Sequence, residues 1–156
     1  MAGKLRKEIK QTRDFETLEA EAVLNIIRTA DALGRSDADF LKPLELTTTQ
    51  FNVLRILRGA GEAGLNCREI SDRMIKYDPD VTRLLDRLEK RGMVSRNRES
   101  KDRRVITVRI TRDGLEILKQ LDRKILDLHK RQVGHLGERR LKTLINLLEM
   151  ARDNLK

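Results

Sequence analysis

Residues 78–111 read DPDVTRLLDRLEKRGMVSRNRESKDRRVITVRIT, and this stretch decides the fold. Asp78 and Pro79 form a strong helix start. An aspartate caps free backbone N–H groups, and a proline at the first helical position loses no bond. Val81, Leu84, Leu85 and Leu88 follow at i, i+3, i+4 and i+7, which puts them on one buried face. Thr82, Arg83, Asp86, Arg87 and Lys90 fall on the other side, and Gly92 stops the helix. Met93 to Arg98 suits a strand. Further on, Ile106, Val108 and Ile110 alternate with Thr107 and Arg109, the two-residue period of a half-buried hairpin. The turn between them holds Lys101, Asp102, Arg103 and Arg104. It lacks a two-residue glycine signal and proline, so a longer, charged, projecting loop is expected.

Just before this stretch, Asn66 with Glu69 three residues later makes a capping box for a helix from about Cys67 to Ile75, with Ile70 and Met74 on one face. Two helices of about eight and thirteen residues joined by a short turn read as a helix-turn-helix, and the hairpin after them as its wing. Upstream, GAGEAG at 59–64 makes a turn, and a helix capped within Thr47–Thr49 runs through Phe51, Leu54, Ile56 and Leu57. Phe40 to Leu46, with Pro43, looks like a connector.

The ends of the chain carry long amphipathic helices. Between Asp14 and Leu33, Leu18, Ala22, Ile26, Ala30 and Leu33 recur every three or four positions, and Val23 and Ile27 widen the stripe. Gly34 and the polar run Arg35 to Asp39 are expected to end it. Thr111 caps a helix bearing Leu115, Leu118, Leu121, Ile125 and Leu128. After Gly134 to Gly137 a last helix shows Leu141, Leu144, Leu148, Ala151 and Leu155. These first and last stripes are more extensive than a small winged lobe could cover. They point to a homodimer, with Leu18, Ile26, Leu141, Leu144, Leu148 and Leu155 at its interface.

The expected fold is therefore mainly α: a winged helix-turn-helix with a two-stranded wing, plus N- and C-terminal dimerisation helices. Residues 1–13 read as a basic, flexible arm and residues 14–156 as a single domain. Within it, 46–112 is the winged lobe, and 14–34 with 112–156 are the dimerisation helices.

With 156 residues, aromatics at 3% and no tryptophan, the core must be built from aliphatic side chains, which suits packed helices. The single Cys67 excludes an intramolecular disulfide, and no apolar run is long enough to span a membrane. A cytoplasmic protein is expected. Residues 87–112 hold ten basic and three acidic side chains, a net +7 within a total of +9. Charge concentrated this way favours a polyanion, because neutralising phosphates releases condensed counterions.

VTRLLDRLEKRGMVSR (81–96), DRRVITVRITRDGLEIL (102–118) and LTTTQFNVLRIL (46–57) together resemble the MarR family of bacterial and archaeal winged-helix transcriptional regulators. The resemblance is specific over about half the chain. It implies a homodimer with interlocked terminal helices, two winged lobes, and release by a small-molecule effector. At the mouth of the recognition helix, Pro79 and Asp80 stand where relatives often carry small hydroxyl residues. Ile75-Lys76-Tyr77 replaces the family's usual Gly-Leu turn.

The expected partner is double-stranded DNA, entered by the N-terminal end of the recognition helix. Arg83 and Arg87 are assigned to a base or a nearby phosphate and Thr82 to a phosphate; Asp80 either accepts from cytosine or orients an arginine. Lys90, Arg98 and Lys101 extend the basic surface. Arg103 and Arg104 are assigned to the minor groove, with Asp102 holding one guanidinium, as the family's Asp-Arg pair does. Cys67 reads as a small apolar residue, and His129 and His135 lack the neighbours of a metal site. No phosphate-binding glycine loop, metal cluster or nucleophile-base pair suggests an enzyme, and no cofactor is expected. The competing reading is a winged helix used only for protein contacts.

Overall fold

The computed structural model describes residues 3–98 and 105–155. The chain divides into two compact units, residues 1–48 and 49–156.

The first unit holds α1 (Lys4–Glu8) and α2 (Leu18–Leu41). Part of the segment expected as a basic arm is thus helical, and Leu5 within it is buried. Arg6 fastens the following loop: its guanidinium donates to the carbonyls of Gln11 (3.3 Å) and Thr12 (2.6 Å) and pairs with Asp14. Thr17 caps α2, its hydroxyl accepting from the Ala20 N–H at 3.1 Å. The helix runs through Gly34 to Leu41, beyond the end expected at Gly34. A mid-helix glycine costs only about 1 kcal/mol relative to alanine, and Arg35 pairs with Asp31 one turn back at 2.9 Å. Pro43, in the 3-10 turn Lys42–Leu44, follows the true end.

The second unit begins with α3 (Thr48–Ala60), whose first residue marks the boundary, and buries Val53, Leu54 and Leu57. After the 3-10 turn Gly61–Ala63 comes α4 (Cys67–Arg73), opened by the expected capping box: the Asn66 side chain accepts from Glu69 N–H, and Glu69 accepts from Asn66 N–H. It ends two residues before Ile75. In α5 (Val81–Lys90), Val81, Leu84, Leu85 and Leu88 are all buried. Its cap is Asp80 rather than Asp78, so Pro79 precedes the cap instead of occupying the first helical position.

Gly92 ends α5 as expected. At φ +71° its N–H donates to Glu89 O (2.8 Å), and Met93 N–H donates to Leu88 O (3.0 Å), the paired bonds of a Schellman turn. The wing follows: β1 (Val94–Arg98) pairs antiparallel with β2 (Ile106–Ile110), Arg96 opposite Val108. The alternation expected along β2 fails at one end, where Ile106 is exposed and Thr107 is buried. The cause is a third segment lying along β2. Leu65 exchanges backbone bonds of 3.0 and 2.8 Å with Val108. A Cβ at Gly64 would sit 2.6 Å from Val108 O and 2.7 Å from Thr107 Cγ2.

Thr111 caps α6 (Arg112–Val133) by accepting from Gly114 N–H. Its own hydroxyl donates to Gly92 O at 2.6 Å, joining the end of the wing to the end of α5. Leu118, Leu121, Ile125 and Leu128 are buried along α6, whereas Leu115, expected among them, is 41% exposed. Arg58 of α3 holds Asp122 of α6 at 2.8 Å. The 3-10 turn Gly134–Leu136 leads into α7 (Gly137–Asp153), which contains no buried residue.

Gly64 and Gly92 share a positive φ but differ in surroundings: nothing lies within 4 Å of a Cβ built on Gly92. Gly92→Ala should lower the unfolding free energy by about 1–2 kcal/mol, the left-handed cost alone. Gly64→Ala should lose about 1–3 kcal/mol more from overpacking against β2. Urea denaturation midpoints test this, and equal midpoints for the two variants would contradict the packing of residues 64 and 65 on the wing.

Candidate nucleic-acid interface

The helix-turn-helix pair is held by short-range polar bonds at each joint. Between α4 and α5 the chain runs from Met74 to Asp80, and both ends of this connector are pinned. Asn52 of α3 accepts the Ile75 N–H at 3.0 Å, and Asp78 accepts the Asp80 N–H at 2.9 Å. Asp80 then accepts the Arg83 N–H at 3.0 Å as the helix cap. One carboxylate oxygen of Asp80 is therefore engaged with backbone, which makes holding the first turn of α5 part of its role.

The buried stripe of α5 leaves Thr82, Arg83, Asp86, Arg87, Glu89 and Lys90 facing outward, all exposed. Arg83 and Arg87 stand one turn apart, and with Lys90 they form no ion pair among the described residues. The Thr82 hydroxyl lies 3.8 Å from Cys67 Sγ across the α4–α5 joint. That contact gives Cys67 a packing partner on the neighbouring helix. Arg98 is exposed at the end of β1. Lys101, Asp102, Arg103 and Arg104 lie outside the described residues.

Asp86 is committed elsewhere. Arg96 reaches from β1 to α5, 2.5 Å from the Asp86 carboxylate, 3.2 Å from the Thr82 carbonyl and 3.7 Å from Glu89. The Arg96 side chain is only 21% exposed, and its Nε is buried without a hydrogen bond among the described residues. Reading the sequence for outward-facing base contacts missed this residue. A signal was present: Arg96 has the same strand parity as buried Val94, so it points toward the lobe rather than to solvent. A charge there needs carboxylates opposite, and Asp86 and Glu89 supply them.

Of the residues expected at a dimer interface, Leu18 (81%), Ile26, Leu144 and Leu155 (82%) are exposed in the single chain. Leu141 and Leu148 are half-buried. Among the described residues no group of histidine, cysteine and carboxylate side chains could hold a metal, and no helix is long and apolar enough to cross a membrane.

The model of the MarR family matches residues 46–106, from just before α3 to the start of β2. The transcriptional regulator TtmR of Methylorubrum extorquens is 32% identical over 109 residues, 70% of this chain and 55% of its own length. The chain thus spans little more than half of that relative. A MarR transcription factor from Planctomyces limnophilus is 40% identical in its crystal structure, with a TM-score of 0.68 over 87% of this chain and 98% of that one. A point mutant of Escherichia coli MarR, solved in complex with operator DNA, is 27% identical, with a TM-score of 0.75 over 96% of this chain and 99% of that one. The mainly helical fold with a two-stranded antiparallel wing is that of these MarR structures. The chain belongs to the MarR family of winged helix-turn-helix transcriptional regulators.

Proposed function

We propose that the chain is a sequence-specific repressor that binds double-stranded DNA as a homodimer, with α5 in the major groove. The observation that carries this reading is the division of α5. One face is buried among aliphatic side chains, while the other presents Arg83 and Arg87, unpaired among the described residues, beside the capped N-terminus. Arginine in that position makes paired bonds to guanine O6 and N7, worth about 1–3 kcal/mol of discrimination each. Thr82, Lys90 and Arg98 are assigned to phosphates. Lys101, Arg103 and Arg104 are assigned to the DNA backbone and the minor groove, and Asp102 to holding one guanidinium. That the Escherichia coli MarR mutant was solved in complex with operator DNA supports DNA as the partner. A dimer seated on a site that overlaps a promoter excludes other proteins from it, which is repression by occupancy. A small effector that binds one arrangement of the two lobes better than the other would release it.

The dimer reading rests on apolar surface that the single chain leaves in water. In α7, Leu144, Ile145, Leu147 and Met150 are 38–59% exposed, and in α2, Val23, Ile26 and Ile27 are 44–59% exposed. Each helix by itself thus leaves an apolar stripe in water, and apolar patches mark interaction faces. A twofold axis relating two chains would set two α5 helices about one DNA turn apart on a pseudo-palindromic site.

Two measurements test this. Six to ten phosphate contacts predict roughly 10³–10⁵-fold weaker DNA binding between 50 and 200 mM salt. A flat salt response would leave a protein-contact module as the better reading. The double substitution Leu144→Asp with Leu148→Asp should yield monomers by light scattering, with DNA affinity reduced at least tenfold. A double mutant that stays dimeric removes α7 from the interface.

A further inference from the structure

The connector between α4 and α5 exposes two large apolar side chains, Ile75 at 87% and Tyr77 at 81%. Among the described residues the other large apolar side chains exposed this strongly, Leu18 and Leu155, lie in the segments assigned to the dimer. Ile75 and Tyr77 sit instead just before the cap of the recognition helix. Their exposure is not slack in a loose loop. Ile75 N–H is bonded to Asn52 and Asp80 N–H to Asp78, so the backbone is fixed on either side.

The chemistry of the turn suits the edge of a DNA groove. Arg73 and Lys76 interleave with Ile75 and Tyr77, and all four are exposed. The acidic neighbours Asp78 and Asp80 each accept a backbone N–H through one carboxylate oxygen and keep their charge, as does exposed Asp72. The ammonium of Lys76 and the phenol of Tyr77 are the donors within the turn that could meet a phosphate. In a helix-turn-helix the first helix crosses the sugar-phosphate backbone and the start of the second meets base edges, so the turn between them passes the rim of the groove. An aliphatic side chain there has one natural partner among base edges, the thymine 5-methyl group. A phenolic hydroxyl donates to a phosphate oxygen without reading sequence.

We propose that this turn is part of the DNA interface: Tyr77 donates a hydrogen bond to a backbone phosphate, and Ile75 packs against a thymine methyl at the edge of each half-site. The proposal rests on the DNA-binding reading above and adds a specificity element to it.

The test uses the full chain and a duplex selected by the wild-type protein. Wild type, Ile75→Ala and Tyr77→Phe are titrated against that duplex, a random duplex, and versions with single thymines replaced by deoxyuridine. Tyr77→Phe should bind selected and random duplexes alike about three- to tenfold more weakly, as for one lost hydrogen bond. Ile75→Ala should lose about tenfold on the selected duplex alone. Wild type should show a matching loss at one thymine per half-site on conversion to deoxyuridine, and Ile75→Ala should lose nothing more there. If both variants bind like wild type with the same deoxyuridine profile, the turn lies outside the interface, although the DNA-binding reading stands. If they bind DNA normally but change the oligomeric state, the patch covers protein, and the proposal is equally overturned. If wild type enriches no duplex at all, the DNA-binding reading itself fails and takes this proposal with it.

Discussion

The proposed DNA surface depends on one node, the guanidinium of Arg96 set between the wing and α5. It touches the Thr82 carbonyl, the Asp86 carboxylate and, more distantly, Glu89. Ion pairs to exposed carboxylates contribute little in water, and both acids here are about half exposed. The arginine is largely shielded from water, however: its side chain is 21% exposed, and its buried Nε lacks a hydrogen bond among the described residues. Without the carboxylates a buried charge would be left uncompensated, which is far costlier than losing a surface pair. The node therefore contributes orientation more than stability. It ties the strand that leads into the wing to the helix proposed to read bases, and it sets a positive charge beside two carboxylates on the face that would meet phosphate.

Around that node the same economy of short contacts recurs. Gly92 turns the chain out of α5, and the Thr111 hydroxyl returns from the far strand to the Gly92 carbonyl. Residues 64 and 65 lie along β2 so closely that a methyl group at residue 64 would collide with its backbone. The end of α5, the described strands of the wing and the start of α6 are thus joined by short bonds. If Arg83 and Arg87 bind DNA as proposed, a framework joined in this way would lower the ordering cost of binding.

What was legible in the sequence was whatever local chemistry determines alone. The i, i+3, i+4, i+7 spacing in α5, the Asn66–Glu69 box, the Gly92 stop and the Thr111 cap each specify their structure within a few residues, and all appear. Departures occur where a local signal competed with something else. Gly34 and the polar run after it resembled a helix end, but one glycine is a small cost against a helix that continues to Leu41. Asp78 was expected to cap α5, but the chain uses Asp80, of the same type two residues on, for the helix and Asp78 for the turn before it. Ile106 and Thr107 exchange expected environments where residues 64 and 65 lie along β2, a contact about forty residues apart that no period-2 pattern can show. For the candidate site, the outward cluster on α5 was legible, whereas Arg96 required knowing which strand face turns inward.

Two copies of α5 reading one DNA site in a fixed geometry would leave their symmetry in that site. Selection of duplexes from a random library by the full chain, followed by sequencing and footprinting of the enriched site, would reveal it. The expected result is an inverted repeat whose half-site centres lie about 10–10.5 base pairs apart, protected symmetrically. A single asymmetric site, or enrichment without any recurrent sequence, would contradict it.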